Sequence, residues 1–299
     1  IDLQMFSTNL SHGRPYIFPL SDSECLYFTK PEMMRCLPNT VVDWMVSNSP
    51  SNHLRPGTKE EERAFQLPKA KDVPILLAAR MSLSFPFLFT AVPLYAIDAE
   101  SQPPGVDTKS QGDPTFRRCL FSDGGISSNF PIHLFDDLLP MWPTFGLTLE
   151  PKIDGQAMVF LPKTYDEGYG ERWNVHPDDN KENQTGRKKG NGASALGWFM
   201  GAIVGTMQNW NDNSLARMPG VRDRVARVRL EEYEGGMNLN MKDEHILAVA
   251  DRGVQACDEL LARFNPSINR NQVSGWNEHR FVRLHVLLKM LAARSPGVL

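Results

Sequence analysis

At 299 residues the chain can form one large domain or two ordinary ones, and 41% apolar with 22% charged residues is a core-forming composition. That excludes wholesale disorder, collagen and coiled coil. Lys and Arg number 32 against 35 Asp and Glu, so no global basic field draws the chain to nucleic acid or anionic lipid, and any such partner must be met by a local patch. Cys25, Cys36, Cys119 and Cys257 stand far apart without CxxC spacing, which fits neither a structural zinc site nor a dense disulfide framework and is compatible with a reducing compartment.

The opening Ile1 to Thr8 reads as a strand, with no basic stretch followed by an apolar one, so it is not a signal peptide and the chain is expected to start in the middle of a longer polypeptide. Leu3 to Thr8 runs into a turn at Gly13-Arg14-Pro15, Val41 to Val46 predicts a short helix, and Ser47 to Gly57 reads as a loop. Asp72-Val73-Pro74 is a helix start with Asp72 as cap, leading into Ile75 to Ala79 and stopping at Pro86. A Pro/Gly-rich loop from Glu100 to Pro114 precedes a strand at Thr115 to Phe121, and Pro131 opens another helix. Tyr165 to Lys189 is a hydrophilic insertion, predicted as a mobile loop. Val225 to Leu230 alternates as a strand with one wet face. Two helices close the chain, one from Lys242 to Phe264 capped by Asp243, the other from Trp276 to Leu291. Ile246, Ala250, Val254, Cys257, Leu261 and Phe264 form the core-facing stripe of the first, and Phe281, Leu284, Leu288 and Leu291 that of the second. Strands separated by helices predict an α/β class with a largely parallel sheet.

Asp123-Gly124-Gly125 ends the strand at Phe121. An Asp-Gly step is a common turn, because Gly tolerates positive φ and Asp bonds its own following backbone. The alternative is an acid at a strand end, aimed into a cleft by a backbone that leaves sharply. None of the seven His makes an HxxxH or HExxH pair, so core or surface roles are expected of them. Arg222, Arg224, Arg227 and Arg229 are either a solvated strand face or a patch for phosphate headgroups. Gly197, Gly201 and Gly205 lie in an uncharged run that follows Arg187-Lys188-Lys189. That run reads either as a helix packed close through its glycines or as an interfacial one beside basic anchors.

Around the Asp-Gly-Gly step stand Ala78-Ala79-Arg80-Met81-Ser82 with Ser84-Phe85-Pro86-Phe87-Leu88-Phe89 upstream and Asn129-Phe130-Pro131 downstream. Ser7-Thr8-Asn9-Leu10, Gly13-Arg14-Pro15, Thr206 to Trp210, Pro219 to Arg224 and Glu234 to Leu239 complete a series of motifs in order. The series resembles the patatin-like phospholipases of bacterial type, over residues 1 to about 265.

The resemblance implies a three-layer α/β/α fold, N-terminally incomplete, with residues 1–265 as the C-terminal portion of a patatin-like domain and 266–299 as a helical extension. It implies a serine lipid acyl hydrolase that cleaves a fatty-acyl ester of a glycerolipid through a Ser–Asp dyad, with Asp123 as dyad acid and base, Gly124 and Gly125 as the motif backbone, and no metal or organic cofactor. Phe85, Phe87 and Phe89 either line an apolar pocket or fill the core, core being the default. In that family the nucleophile is the Ser of G-x-S-x-G. Residues 1–299 contain no such motif and no Gly-rich oxyanion loop; Gly192-Ala193-Ser194-Ala195-Leu196-Gly197 is one residue out of step, so Ser194 is a cap or loop residue and the chain alone is expected to be inactive. Peripheral membrane contact and a cytoplasmic or membrane-peripheral location fit this reading. The alternative is a non-catalytic module that binds lipid or protein with the family surface.

Overall fold

The computed structural model describes residues 2–21, 25–54, 63–86, 88–98, 115–164, 167–168, 192–231, 233–235, 238–265 and 275–295. The loop expected at Glu100 to Pro114 and nearly all of the insertion from Tyr165 to Lys189 lie outside these residues. The chain divides into two compact units, residues 1–129 and 130–299.

In the first unit, β1 (Met5–Asn9) and β2 (Arg14–Phe18) form a hairpin whose turn Gly13 closes at φ 64°, a left-handed conformation that a side chain would strain. Then follow β3 (Tyr27–Thr29), α1 (Lys30–Met33), α2 (Asn39–Ser47), β4 (Asn52–Leu54), β5 (Arg63–Gln66), α3 (Ile75–Ser82), β6 (Val92–Ile97) and β7 (Phe116–Asp123). The seven strands make one sheet in the order β2-β1-β7-β6-β3-β5-β4. Every pairing in it is antiparallel. Mixed α/β architecture is as expected, consistent with an α/β/α fold, but the largely parallel sheet is corrected here. Parallel neighbours need long crossovers, whereas this unit uses a tight hairpin and helices of at most nine residues. Phe121 of β7 anchors the core, meeting Tyr16 and Phe18 edge-on at 5.4 and 5.7 Å, while Leu77 and Met81 of α3 are fully buried. Asp72 is not the cap of α3: it ends a separate 3-10 turn, Ala70–Asp72, and Pro74 takes the N-cap position with no side-chain bond. The predicted loop after Ser47 contains β4.

The second unit holds β8 (Gly146–Pro151), β9 (Val159–Phe160), α4 (Gly192–Leu215), β10 (Val225–Leu230), α5 (Asp243–Phe264) and α6 (Gly275–Arg294). β8 and β10 pair in parallel from Gly146↔Val225 to Pro151↔Leu230, and β9 joins β10 antiparallel. Only a 3-10 turn, Ile132–Phe135, stands where a helix was expected after Pro131. Asp243 is the first residue of α5, where its charge favours the helix dipole, and Lys242 is the N-cap.

Both closing helices form where the periodicity predicts, yet with the other face inward. Ala256 of α5 packs with Leu161, Ala226 and Val228, and Arg252 from the same face donates to Glu234 and to the Arg229 carbonyl. Ile246, Ala250, Val254, Cys257 and Leu261 are exposed, Phe264 alone of that stripe being buried. On α6 the buried residues are Gly275, His279 and Val282, while Phe281, Leu284, Leu288 and Leu291 face outward.

The arginines around β10 are neither a solvated face nor a headgroup patch. Arg224 is 1% exposed and donates to the Gly220 and Thr144 carbonyls at 2.9 Å and to Asp136 at 2.7 Å. Arg229 is buried against the Ala157 carbonyl, and Arg227 donates to the Gly168 carbonyl at 2.6 Å. These cations hold loops in place.

Next to Arg224, Asp223 Oδ2 bonds His279 Nδ1 at 2.8 Å with both side chains 1% exposed. Burial pushes the Asp223 carboxyl up, but the hydrogen bond and charge of His279 outweigh it and hold the group below its ordinary value. A carboxyl more acidic folded than unfolded stabilises fully above its unfolded pKa of about 3.9, and that stability is lost as pH falls through the folded value. Asp223→Asn is therefore expected to cost about 2–3 kcal/mol at neutral pH and markedly less in acid, read from urea midpoints at about pH 7 and pH 3.

Candidate functional site

Asp123 is the last residue of β7, in register opposite Ser7 of β1. Its backbone is held from two sides: its N–H donates to the Ser84 carbonyl at 3.1 Å, and its carbonyl accepts from Thr8 Oγ1 at 2.8 Å. The Thr8 proton is spent there, so in the 2.7 Å contact of Thr8 Oγ1 with Ser127 Oγ the Ser127 hydroxyl donates. Ser122 Oγ donates to the same Ser84 carbonyl at 2.8 Å, and Ser7 Oγ to the Ser122 carbonyl at 2.7 Å. Pairing with β6 ends at Phe121, and beyond it the Ser84 carbonyl takes the donors on that side while β1 still pairs with β7 up to Asp123.

The side chain caps the 3-10 turn Gly124–Ile126, with Asp123 Oδ1 accepting from the Gly125 N–H at 2.7 Å. Among the described residues no side chain bonds this carboxylate, and Oδ2 has no hydrogen-bond partner. Burial pushes the Asp123 carboxyl above its ordinary value, and the Gly125 amide offsets part of the rise. The group is therefore a carboxylate oriented by a backbone donor and made more basic by its surroundings.

The two glycines are required for a reason the sequence reading missed. Neither is left-handed. A Cβ on Gly124 would stand 2.5 Å from the Phe6 carbonyl oxygen, and one on Gly125 would stand 2.2 Å from Asn129 Oδ1 and 2.8 Å from Asp123 Oδ1. Asn129 Nδ2 in turn donates to the Gly125 carbonyl at 3.2 Å. Close approach, not φ, selects Gly here.

Ser84 opens the Ser84-Phe85-Pro86 segment. Arg80 Nη1 donates to Ser84 Oγ at 2.5 Å and Ser84 Oγ donates to the Arg80 carbonyl at 2.7 Å, while Arg80 Nη2 reaches the Thr90 carbonyl at 2.9 Å. The segment is thereby folded over one guanidinium, whose carbon lies 5.4 Å from the centre of the Phe89 ring. Ser84, Thr8 and Ser127 are the positioning residues that sequence reasoning did not single out; Ser84 and Thr8 stand in quoted motifs, and Ser127 carried no signal. Phe85 and Phe89 are exposed, which corrects the core-filling default, and Phe87 lies outside the described residues. A cavity of about 310 Å³ lined by Phe18, Leu20, Gln66, Leu67 and Val73 lies in the same unit, and none of Asp123, Phe85 and Phe89 lines it. Ser194 falls in α4, its side chain outside the described residues.

Residues 30–136 match the family model described as patatin-like phospholipase. A curated protein of Rhizobium meliloti named RpoH suppressor is 38% identical over 89% of this chain, and the chain spans 44% of that relative's length. No solved structure matches. The matched segment runs from the start of α1 to the turn beyond Asp123 and contains both the Ser84–Phe89 segment and the Asp-Gly-Gly step. Over residues 30–136, by motifs and family model alike, this chain is similar to the patatin-like phospholipases.

Proposed function

We propose that this chain supplies the aspartate of a Ser–Asp dyad in a lipid acyl hydrolase, and that Asp123 is the base. The observation that carries the proposal is the Asp123 carboxylate: one oxygen fixed by the Gly125 amide, the other without a partner among the described residues, the group raised in pKa by burial. Asp123 takes the proton of a serine hydroxyl as the serine oxygen bonds the acyl carbon of a glycerolipid ester. The proton then passes to the departing alcohol as the ester C–O bond breaks. Water, deprotonated by the same carboxylate, attacks the acyl-serine and releases the fatty acid. The reaction needs no metal or organic cofactor.

The serine belongs to a G-x-S-x-G elbow that residues 1–299 do not contain, so the proposal assigns it to sequence beyond them. Residues 1–265 then form the C-terminal portion of the patatin-like domain, residues 266–299 a helical extension, and the protein works at the cytoplasmic or membrane-peripheral boundary where its lipid lies. The missing elbow equally favours a non-catalytic lipid- or protein-binding module, and one experiment separates the two. A fluorophosphonate probe is expected to leave residues 1–299 unlabelled and to label the gene's longer product covalently; failure to label any longer product supports the module.

A further inference from the structure

We infer that Arg80 is a positioning residue for Asp123: its guanidinium ties the two ends of the Ser84–Thr90 segment together and, through the Ser84 carbonyl, fixes the end of β7. The catalytic consequence rests on the reading of Asp123 as the base; the positioning itself rests on geometry alone.

Arg80 stands in the last turn of α3, where the helix dipole favours a cation, and the helix ends two residues later at Ser82. From there the guanidinium forks. Nη1 donates to Ser84 Oγ at 2.5 Å, and Nη2 to the Thr90 carbonyl at 2.9 Å and the Thr90 hydroxyl at 3.3 Å. Between these anchors the Phe85 carbonyl accepts from the N–H groups of Leu88 and Phe89 at 3.2 and 3.0 Å, so the segment closes into a compact turn.

Both anchors bear on the end of β7. The Ser84 carbonyl accepts from the Asp123 N–H at 3.1 Å and from Ser122 Oγ at 2.8 Å. Thr90 leads within two residues to Val92, the fully buried start of β6, which stands in register with Phe121. One planar fork therefore links the residue that holds positions 122 and 123 to the strand that pairs with position 121. A lysine, a single ammonium on a flexible stem, does not reproduce that fork.

Arg80 acts through position and not through charge. The causes of the raised Asp123 pKa are burial and, opposing it, the Gly125 amide. Loss of the fork is then felt at Asp123 as freedom of the strand end, which lets water reach the carboxylate.

The test is carboxyl carbon NMR titration of residues 1–299, with the Asp123 signal assigned by Asp123→Asn, so that no hydrolysis is needed. The wild-type midpoint is expected above the ordinary value of about 3.9, and Arg80→Lys to bring it down toward that value. In the same variant the Asp123 N–H is expected to exchange with solvent at least about tenfold faster, while the amides pairing β3 with β5 keep their rates. Ser84→Ala removes the acceptor of Nη1 but keeps the carbonyl, and is expected to move both readouts in the same direction. Midpoint and exchange unchanged in either variant overturn the inference, and so does exchange accelerated equally across the sheet, which would make Arg80 a general support of the fold. If the midpoint and exchange move but Asp123→Asn leaves hydrolysis by the longer product intact, the positioning stands and the catalytic reading of Asp123 falls.

Discussion

Asp123→Asn, in the product that carries the nucleophile, is expected to lower ester hydrolysis by about 10²–10⁴-fold while leaving the fold intact or firmer. Asparagine keeps an oxygen for the Gly125 amide, so the turn survives, but it accepts no proton. The stability side has a definite sign. Burial raises the folded pKa of Asp123 above its unfolded value, so ionisation destabilises the fold. That penalty is absent below the unfolded pKa of about 3.9, grows as pH rises, and is complete above the folded value. The variant is therefore expected to melt at an equal or higher temperature than wild type at neutral pH, with the difference vanishing in acid. Such an exchange of stability for activity marks a site residue. Fatty-acid release and thermal melts across pH check it; hydrolysis untouched by the substitution would remove Asp123 from the chemistry, and lost activity with a lost fold would make it structural.

Gly124→Ala is expected to cost about 3 kcal/mol, against about 1 kcal/mol for Gly125→Ala. The contrast rests on what each methyl meets. At Gly124 it would press on Phe6 O and Phe6 C at 2.5 and 2.8 Å, backbone atoms of β1, which is itself fixed between β2 and β7. At Gly125 it meets Asn129 Oδ1 and Asp123 Oδ1, side-chain atoms that can turn away. The milder substitution displaces the carboxylate instead, so it is expected to depress hydrolysis far more than stability, whereas Gly124→Ala depresses both. Urea unfolding of the two variants, with parallel assays, reads the difference. Equal destabilisation would show that β1 yields as readily as a side chain.

These expectations also mark how far the sequence reached. β1 and its turn, α2, α3, β7 ending at Asp123, and the two closing helices were all legible, because alternation, 3.6-residue periodicity and Gly or Pro punctuation are local signals. The motif series was read over residues 1 to about 265, and the family model matches residues 30–136 of that stretch, the part that contains Asp123. Sheet direction was not legible: strands between helices suggest crossovers, but pairing is decided by which strands meet in space, and in the first unit every neighbour runs antiparallel.

Helix faces were not legible either. α5 carries apolar residues on more than one arc, and the arc bearing Ala256 and Arg252 turned inward because a small side chain permits close approach to β10 and the guanidinium found Glu234. Arg224, just ahead of β10, became an internal strut once the fold offered Asp136 and the carbonyls of Gly220 and Thr144, and Arg227 and Arg229 of β10 did so on the carbonyls of Gly168 and Ala157. The sequence by itself determined the types of those elements and the acid at the end of β7, since both depend on neighbours along the chain. Only the tertiary structure decided what holds that acid, why glycine must follow it and which apolar stripes stay outside, because each of these depends on contacts between residues distant in sequence.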